Sequence, residues 1–354
     1  MKDRTVCSYR RSLLERIENV SNVVRMLPSE SPLRSAWEDI VMFETKQRVT
    51  DAIEADLGNL KLPPLFFLLD GINPETINAL VDDLNIVSAA SDAGRDPLTT
   101  ASTKSPMDDR KWCGALFEVY VKSVFLKLVP GTSLDYLLPN GKDIDVCITL
   151  DGADVFIECT VITDSDEDRA VFDRFMEYKK HQADAVLSRP GCFDEEGSTG
   201  PGLYYDPLRI YCKVYDKLAP QFDTAKSQTS ANHANILFLS FFTPRGSFGI
   251  DSPGVGWALD ELFIAQPAGH IKLPACPGGI TGISLQDWLD HQHLIDPNAM
   301  LEIPCRLGAL AMFGECTFLK SRVNYNVNQE NTITHSQIAQ IEQLFATKPV
   351  WWSG

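Results

Sequence analysis

Apolar residues recur with helical spacing through the first hundred residues of the chain. The segment SLLERIENVSNVVRML carries such a stripe, which predicts a helix. A second helix is predicted over residues 35–57, and a third begins at Pro74, since proline suits the first helical position. Residues 88–106 are small, polar and without period, which indicates a linker and a domain boundary. The apolar stripe of the first helix comprises Leu13, Leu14, Ile17, Val20, Val24 and Leu27.

The next section alternates between helical and strand-like patterns. The segment DDRKWCGALFEVYVKSVFLKLVPG predicts a helix buried on more than one side, and it should end near Pro130 and Gly131. SLDYLLP is a short strand candidate, KDIDVCITLDGADVFIECT predicts a β-hairpin, and SDEDRAVFDRFMEYKKHQADAVLS predicts a helix. Residues 206–222 fit both a strand and a helix, and the helix is favoured. NILFLSFF predicts a buried strand.

The last hundred residues have a mixed pattern. GITGISLQDWLDHQ predicts a helix, CRLGALAMF and CTFLKSRVNYNVN predict two strands, and SQIAQIEQLFA predicts a final helix. The chain therefore divides into a helical region at 1–105, an α/β (α+β) core at 106–250 and a mixed extension at 251–354. The order within the core is one helix, three strands, one or two helices and a strand.

The register of the hairpin follows from its turn. Asp151 and Gly152 lie between two alternating segments, a strong hairpin signal. If they form the turn, Leu150 pairs with Ala153 and one face of the hairpin is entirely apolar. On the other face Asp145 lies opposite Glu158, and Asp143 lies opposite Thr160. The apolar face comprises Ile144, Val146, Ile148, Leu150, Ala153, Val155, Ile157 and Cys159.

Two carboxylates opposite each other on neighbouring strands repel, which costs stability. A hard divalent cation between them would reverse that sign, because Mg²⁺ takes carboxylate oxygens together with water and phosphate oxygens. An alternative interpretation is that the hairpin has one solvated face, on which Asp, Glu and Thr are common. The hairpin alone does not separate the two interpretations.

Composition narrows the class of protein. The 354 residues are 44% hydrophobic, enough for a globular core, and no apolar run approaches the roughly 18 residues that a membrane span needs. Nine cysteines, an odd number without a Cys-x-x-Cys pair, favour reduced core thiols and a cytoplasmic protein. The net charge of −16 disfavours a general nucleic-acid coat protein, although a local basic groove remains compatible with it.

The order of the core elements and the hairpin acids resembles the PD-(D/E)XK nuclease superfamily, which includes restriction endonucleases. The resemblance covers residues 106–245 and implies a restriction endonuclease-like core of αβββαβ order with a mixed sheet flanked by helices. It implies that Asp145 and Glu158 bind Mg²⁺ or Mn²⁺. It also implies that Glu118, on the first helix, helps to hold the metal, and Asp143 is a second candidate for the family aspartate.

The chain departs from the family pattern at one catalytic position. The family motif is Glu-x-Lys, whereas this chain has Glu158, a cysteine and Thr160. The family lysine polarises the attacking water, and threonine carries no charge. Within the superfamily the following helix can supply the lysine, and Lys179 and Lys180 are placed for that role.

Residues further along the chain are candidates for substrate binding. Lys213 and Lys217, with Thr160, are candidates for contacts with phosphate groups. The expected function is metal-dependent hydrolysis of phosphodiester bonds, in DNA rather than RNA, with no membrane role and with a protein partner or a homodimer as further possibilities. The alternative is a scaffold of the same fold that has lost catalysis and serves interactions, which the acidic charge and the absent lysine favour.

Overall fold

The computed structural model forms two compact units, Met1–Pro130 with Thr347–Gly354, and Gly131–Ala346. The described residues are 2–27, 29, 31–52, 62–63, 66, 69–70, 74–91, 97, 109–162, 233–241, 307–314, 317–323 and 329–346. The helices predicted over residues 165–188, 206–222 and 279–292 lie outside them. Among the described residues, no helix has both the length and the apolar content that crossing a bilayer requires.

The first unit is helical. Its apolar stripe is buried as predicted, since Leu13, Ile17 and Val20 of α1 are all in the core. The helices that the structure describes over several consecutive residues are α1 (Lys2–Val24), α2 (Pro32–Ala36), α3 (Met42–Asp51), α4 (Pro74–Ala90) and α5 (Asp109–Leu128).

The second predicted helix differs from the structure in its bounds. It begins earlier, at Pro32, and a π-helical segment over Trp37–Val41 joins α2 to α3. It ends at Asp51 because Ala52 is extended, with ψ of 129°. The prediction that this helix continues to residue 57 is therefore wrong. Apolar spacing located the helix, but a local backbone break at a residue with no special side chain gave no signal in the pattern.

The second unit contains a six-stranded sheet in the order β1-β2-β3-β4-β5-β6. Strands β1, β2 and β3 form an antiparallel meander, β3, β4 and β5 run parallel, and β6 returns antiparallel to β5. The fold is thus α+β with a mixed sheet, as expected. The strands are β1 (Ser133–Leu137), β2 (Asp143–Leu150), β3 (Ala153–Ile162), β4 (Ala234–Phe241), β5 (Leu307–Gly314) and β6 (Thr317–Val323).

The final helix, α6 (His335–Ala346), covers one face of this sheet. The ring of Phe345 meets those of Phe238 on β4 and Phe313 on β5 edge-on, at 5.5 and 5.1 Å. The strand register places Phe238 on the same face as Cys159 of the hairpin. The predicted apolar face of the hairpin is therefore continuous with the sheet face that α6 packs on. Seven of its eight residues are buried, and only Ala153, beside the turn, is exposed.

The start of α6 is tied to the hairpin turn. Thr334 and Gln337 form a capping box: the Gln337 side-chain oxygen accepts from the Thr334 N–H at 2.8 Å, and the Thr334 hydroxyl accepts from the Gln337 N–H at 3.2 Å. The Gln337 side-chain NH₂ also donates to the Leu150 carbonyl at 3.2 Å. One buried side chain thus caps the helix and fixes its position on the hairpin.

Candidate acidic metal site at the end of the hairpin

The β2–β3 hairpin has the predicted register. Leu150 pairs with Ala153, and the pairing continues to Val146 with Ile157. Asp151 and Gly152 have φ of 52° and 80°, both in the left-handed region that a two-residue turn of type I′ requires. The turn chemistry and the alternation of apolar residues thus fixed the pairing of the two strands.

Beyond Val146 the regular pairing stops, and a side chain replaces it. The carboxylate Oδ2 of Asp145 accepts a hydrogen bond from the backbone N–H of Cys159 at 2.6 Å. That amide belongs to the peptide that joins Glu158 to Cys159. The predicted register is therefore correct from the turn to Val146. The expected pairs of Asp145 with Glu158 and of Asp143 with Thr160 are not part of the strand pairing, because the Asp145 carboxylate, not a backbone carbonyl, accepts from the Cys159 N–H.

Burial separates the two ends of the acidic face. Thr149 and Asp154, near the turn, are exposed and hydrogen-bonded to each other at 2.9 Å, as on a solvated face. At the other end Glu158 is only 4% exposed, Thr160 is buried, and Asp145 is half-buried. The solvated-face interpretation therefore fits the turn end and does not fit the end that carries Asp145 and Glu158. Burying a carboxylate is costly unless charge or hydrogen bonds offset it.

A carboxylate from β1 lies close to that of Asp145. One carboxylate oxygen of Asp135 lies within 4.8 Å of a carboxylate oxygen of Asp145. Leu134 pairs with Val146 and Tyr136 pairs with Ile144, so the register brings Asp135 alongside Asp145. Asp135 itself has φ of 50° and is not part of the regular pairing. Aspartate tolerates this left-handed conformation better than most residues.

Asp135 is not among the predicted site residues, although the sequence contains a signal for it. The β1–β2 turn contains Asn140 and Gly141, and Gly141 has φ of 78°. A three-residue loop that ends in a left-handed glycine is a common hairpin connection. That loop length, applied to SLDYLLPNGKDIDV, would have placed Asp135 opposite Asp145.

The other predicted site residues lie in three places. Asp143 is the first residue of β2, where it pairs with Leu137 of the edge strand β1 and is half-buried. Glu118 lies on α5 in the first unit, and its Oε1 accepts from the Lys122 ammonium at 2.6 Å. The predicted lysines fall outside the described residues, namely Lys179, Lys180, Lys213 and Lys217.

Cys147 lies on the same strand and the same face as Asp145, and its thiol is protonated. Cys147 is buried two positions after Asp145. Burial, with a smaller contribution from the negative charge of Asp154, raises the pKa of the Cys147 thiol from 9.0 to about 11. The thiol is therefore protonated at neutral pH. Near neutral pH, Cys147 is accordingly a packed core residue rather than a thiolate ligand for a soft metal.

The donor set is that of a hard cation. Two oxygens bound to one Mg²⁺ at 2.0–2.1 Å lie about 3–4 Å apart. The carboxylates of Asp135 and Asp145, within 4.8 Å, need only a small approach to reach that separation. The hydrogen bond from Cys159 leaves further acceptor capacity on Asp145, since a carboxylate has about four lone-pair sites. The two residues thus fit a hard divalent cation.

Comparison with known proteins adds no assignment. No family model, no curated protein and no solved structure matches this chain.

Proposed function

We propose that this protein is a metal-dependent nuclease of the PD-(D/E)XK type that hydrolyses phosphodiester bonds, with DNA as its expected substrate. The observation that carries the proposal is the anchored carboxylate of Asp145 with the carboxylate of Asp135 within 4.8 Å. The order of α5, the β1–β2–β3 meander and the parallel strand β4 supports it, because this is the order that the resemblance implies.

In this proposal each acid has a distinct role. Asp145 and Asp135 bind Mg²⁺ or Mn²⁺ through carboxylate oxygens, and the Cys159 N–H fixes the orientation of Asp145. Glu158, which is buried, is a further metal ligand in this proposal. Asp143, at the start of β2, is another candidate ligand. The resemblance adds Glu118 to this metal set. When bound, the cation would lower the pKa of a water molecule and stabilise the charge that develops on the phosphate.

The positive charge of the family lysine must come from another residue. Thr160 supplies a hydroxyl and no charge, and it is buried. We assign the role to Lys180 or Lys179, and contacts with the substrate phosphates to Lys213 and Lys217. These assignments rest on the predicted helices that carry the four lysines.

The test is cleavage by the purified full chain. Plasmid DNA, single-stranded DNA and RNA are incubated separately with Mg²⁺ and with Mn²⁺, using wild type, Asp145→Asn, Asp135→Asn and Glu158→Gln. The matched control is Asp154→Asn, since Asp154 is an exposed acid on the same face of the same hairpin. Cleavage by wild type and the control alone supports the proposal. Equal background cleavage by all five proteins overturns it.

A second candidate function is a non-catalytic interaction protein on the same scaffold. The specific observation in its favour is that a buried, uncharged Thr160 stands where the family has its lysine. Calorimetry with Mn²⁺ separates the two functions. Binding that is lost in Asp145→Asn favours the nuclease, whereas an absence of binding that depends on Asp145 or Glu158 favours the scaffold.

A further inference from the structure

Three aromatic rings form a row in the second unit. The ring centroid of Tyr136 on β1 lies 5.0 Å from that of Phe156 on β3, and the Phe156 centroid lies 4.5 Å from that of His233, just before β4. Phe156 is buried, His233 is half-buried and Tyr136 is 41% exposed. Since β1 is an edge strand of the sheet, the row ends in an exposed ring at that edge.

This row lies close to the proposed metal site. Side chains two residues apart on a strand point to the same face, so Phe156 shares a face of β3 with Glu158, and their Cα atoms are about 7 Å apart. Tyr136 directly follows Asp135, whose carboxylate lies within 4.8 Å of that of Asp145. All of these residues belong to the second unit.

A cation lies on the same hairpin as the exposed ring. Lys142 is exposed, and its carbonyl accepts from the Leu138 N–H at 2.6 Å across the β1–β2 connection. Leu138 is two residues from Tyr136, so the ring and the lysine are near neighbours on this hairpin. An aromatic ring together with a positive charge matches single-stranded nucleic acid, in which an accessible base accompanies each phosphate. In a duplex the bases are already stacked and paired, and only their edges are open to side chains.

We propose that Tyr136 stacks on an unpaired base of the substrate, so that the protein binds single-stranded or locally unpaired DNA in preference to duplex. This inference rests on the proposed function, since it names the form of DNA that the site accepts. The ring of Phe156 packs against that of Tyr136 and limits its motion, which lowers the entropy lost when a base stacks on it. The net charge of −16 weakens binding through phosphates alone, so stacking supplies affinity that phosphate contacts do not.

The experiment is fluorescence anisotropy of the full chain with a labelled single-stranded oligonucleotide and with the matching duplex. EDTA is present, so that metal-dependent cleavage does not consume the DNA. We expect wild type to bind the single strand more tightly than the duplex. Tyr136→Leu should bind the single strand about fivefold or more weakly, because one stacked base contributes at least that much affinity. Tyr136→Phe keeps the ring and should stay within about twofold of wild type.

Three results of this titration overturn the proposal. They are a wild-type protein that does not bind the single strand, a duplex bound as tightly as the single strand, and an unchanged affinity in Tyr136→Leu.

Two exposed side chains provide matched controls. Leu137 is the next residue on the same edge strand and is 62% exposed, and Phe43 on α3 is an exposed ring in the first unit. Leu137→Ala and Phe43→Leu should both keep the wild-type affinity for the single strand. An equal loss in either control would show that the effect does not belong to the Tyr136 ring, and would also overturn the proposal.

A fluorescent base analogue separates stacking from other causes of lost affinity. The fluorescence of 2-aminopurine falls when the base stacks, so the analogue is placed at each position of the single strand in turn. At saturating protein, at least one position should be quenched by wild type and by Tyr136→Phe but much less by Tyr136→Leu. Quenching that is the same with all three proteins overturns the proposal.

Cleavage assays separate this inference from the proposed function. If no cleavage depends on Asp145, the proposed function fails. If cleavage depends on Asp145 while binding of the single strand does not depend on Tyr136, only this inference fails.

Discussion

The carboxylate of Asp145 is held by the backbone N–H of Cys159, at 2.6 Å, where the β2–β3 pairing stops. Cys159 follows Glu158, so the bond ties the two predicted metal ligands to one peptide group. This hydrogen bond should affect stability, and the charge of the carboxylate should affect metal binding. Mutations of Asp145 can separate the two effects.

Asp145→Asn and Asp145→Ala should differ in stability but not in metal binding. The asparagine oxygen can still accept from the Cys159 N–H, whereas alanine leaves that buried donor without its partner, which costs about 1–3 kcal/mol. Urea unfolding should therefore show Asp145→Ala destabilised by that amount and Asp145→Asn much less. Both variants should lose Mn²⁺ binding. Equal stability of the two variants would contradict the structural role of the hydrogen bond.

Cys147 should make unfolding easier in the alkaline range. Below pH 9 its thiol is protonated in both states, so its contribution to stability is fully present. Between pH 9 and about 11 the unfolded chain loses the proton while the folded chain keeps it, so stability falls as pH rises through that window. The loss attributable to Cys147 should approach roughly 3 kcal/mol above pH 11, since each unit between the two pKa values corresponds to about 1.4 kcal/mol.

The measurement for Cys147 is urea unfolding from pH 8 to 11 in the presence of EDTA. Cys147→Ala should be less stable than wild type at pH 8, because it loses packed volume, and the gap should narrow as pH rises. Since other groups titrate in the same range, only the difference between the two proteins is informative. A gap that stays constant with pH would mean that burial does not raise the pKa of this thiol.

Even a methyl side chain at Gly308 on β5 should destabilise the fold. A Cβ there would lie 2.6 Å from the carbonyl oxygen of Asn331 and 3.3 Å from Cγ2 of Ile333. Asn331 in turn donates through its side-chain nitrogen to the His233 carbonyl at 2.6 Å, just before β4. Because that backbone is held in place, Gly308→Ala should cost about 1–3 kcal/mol.

The control for Gly308 is Gly114 on α5, where a Cβ meets nothing within 4 Å. Gly114→Ala should be neutral or stabilising by up to about 1 kcal/mol, because alanine is the better helix former. Thermal unfolding of both variants beside wild type checks the pair. If Gly308→Ala were as stable as Gly114→Ala, the backbone at Asn331 would have moved to accommodate the new methyl group.

Gln337 should be sensitive to the loss of its NH₂ group alone. Gln337→Glu retains the oxygen that accepts from Thr334 but turns an acidic oxygen towards the Leu150 carbonyl. We expect Gln337→Glu to be destabilised by about 1–3 kcal/mol at pH 7, since a buried donor is replaced by a charged acceptor. Protonation of the new carboxyl restores a donor, so the deficit should be smaller in acid than at pH 7.

Gln337→Ala is the matched comparison, because it removes both contacts and adds no charge. Its deficit should be about 1 kcal/mol, typical of a lost cap, and it should not depend on pH. Urea unfolding at pH 7 and pH 4.5 distinguishes the two variants. If both lost the same stability at both pH values, the bond to Leu150 would contribute nothing.

The amino-acid sequence by itself determined the register of the β2–β3 hairpin and which of its faces is apolar. One wholly apolar face from Ile144 to Cys159 and the Asp151-Gly152 turn fix the register, because a slip of one residue would turn that whole set of side chains to the other face. Periodicity likewise located α1, α4 and α6. Such features depend on contacts between residues close in the chain, or on a repeat that each element carries alone.

Only the tertiary structure decided the composition of the acidic cluster. That Asp135 joins Asp145 depends on the β1–β2 loop and on a left-handed residue within a strand. That the pairing ends at Val146, and that a carboxylate takes the backbone amide of Cys159, is a matter of where two strands separate. The burial of Glu158 and Thr160 likewise does not follow from their place in the alternation. Alternation specifies which face a side chain lies on, but only packing decides whether that face meets water.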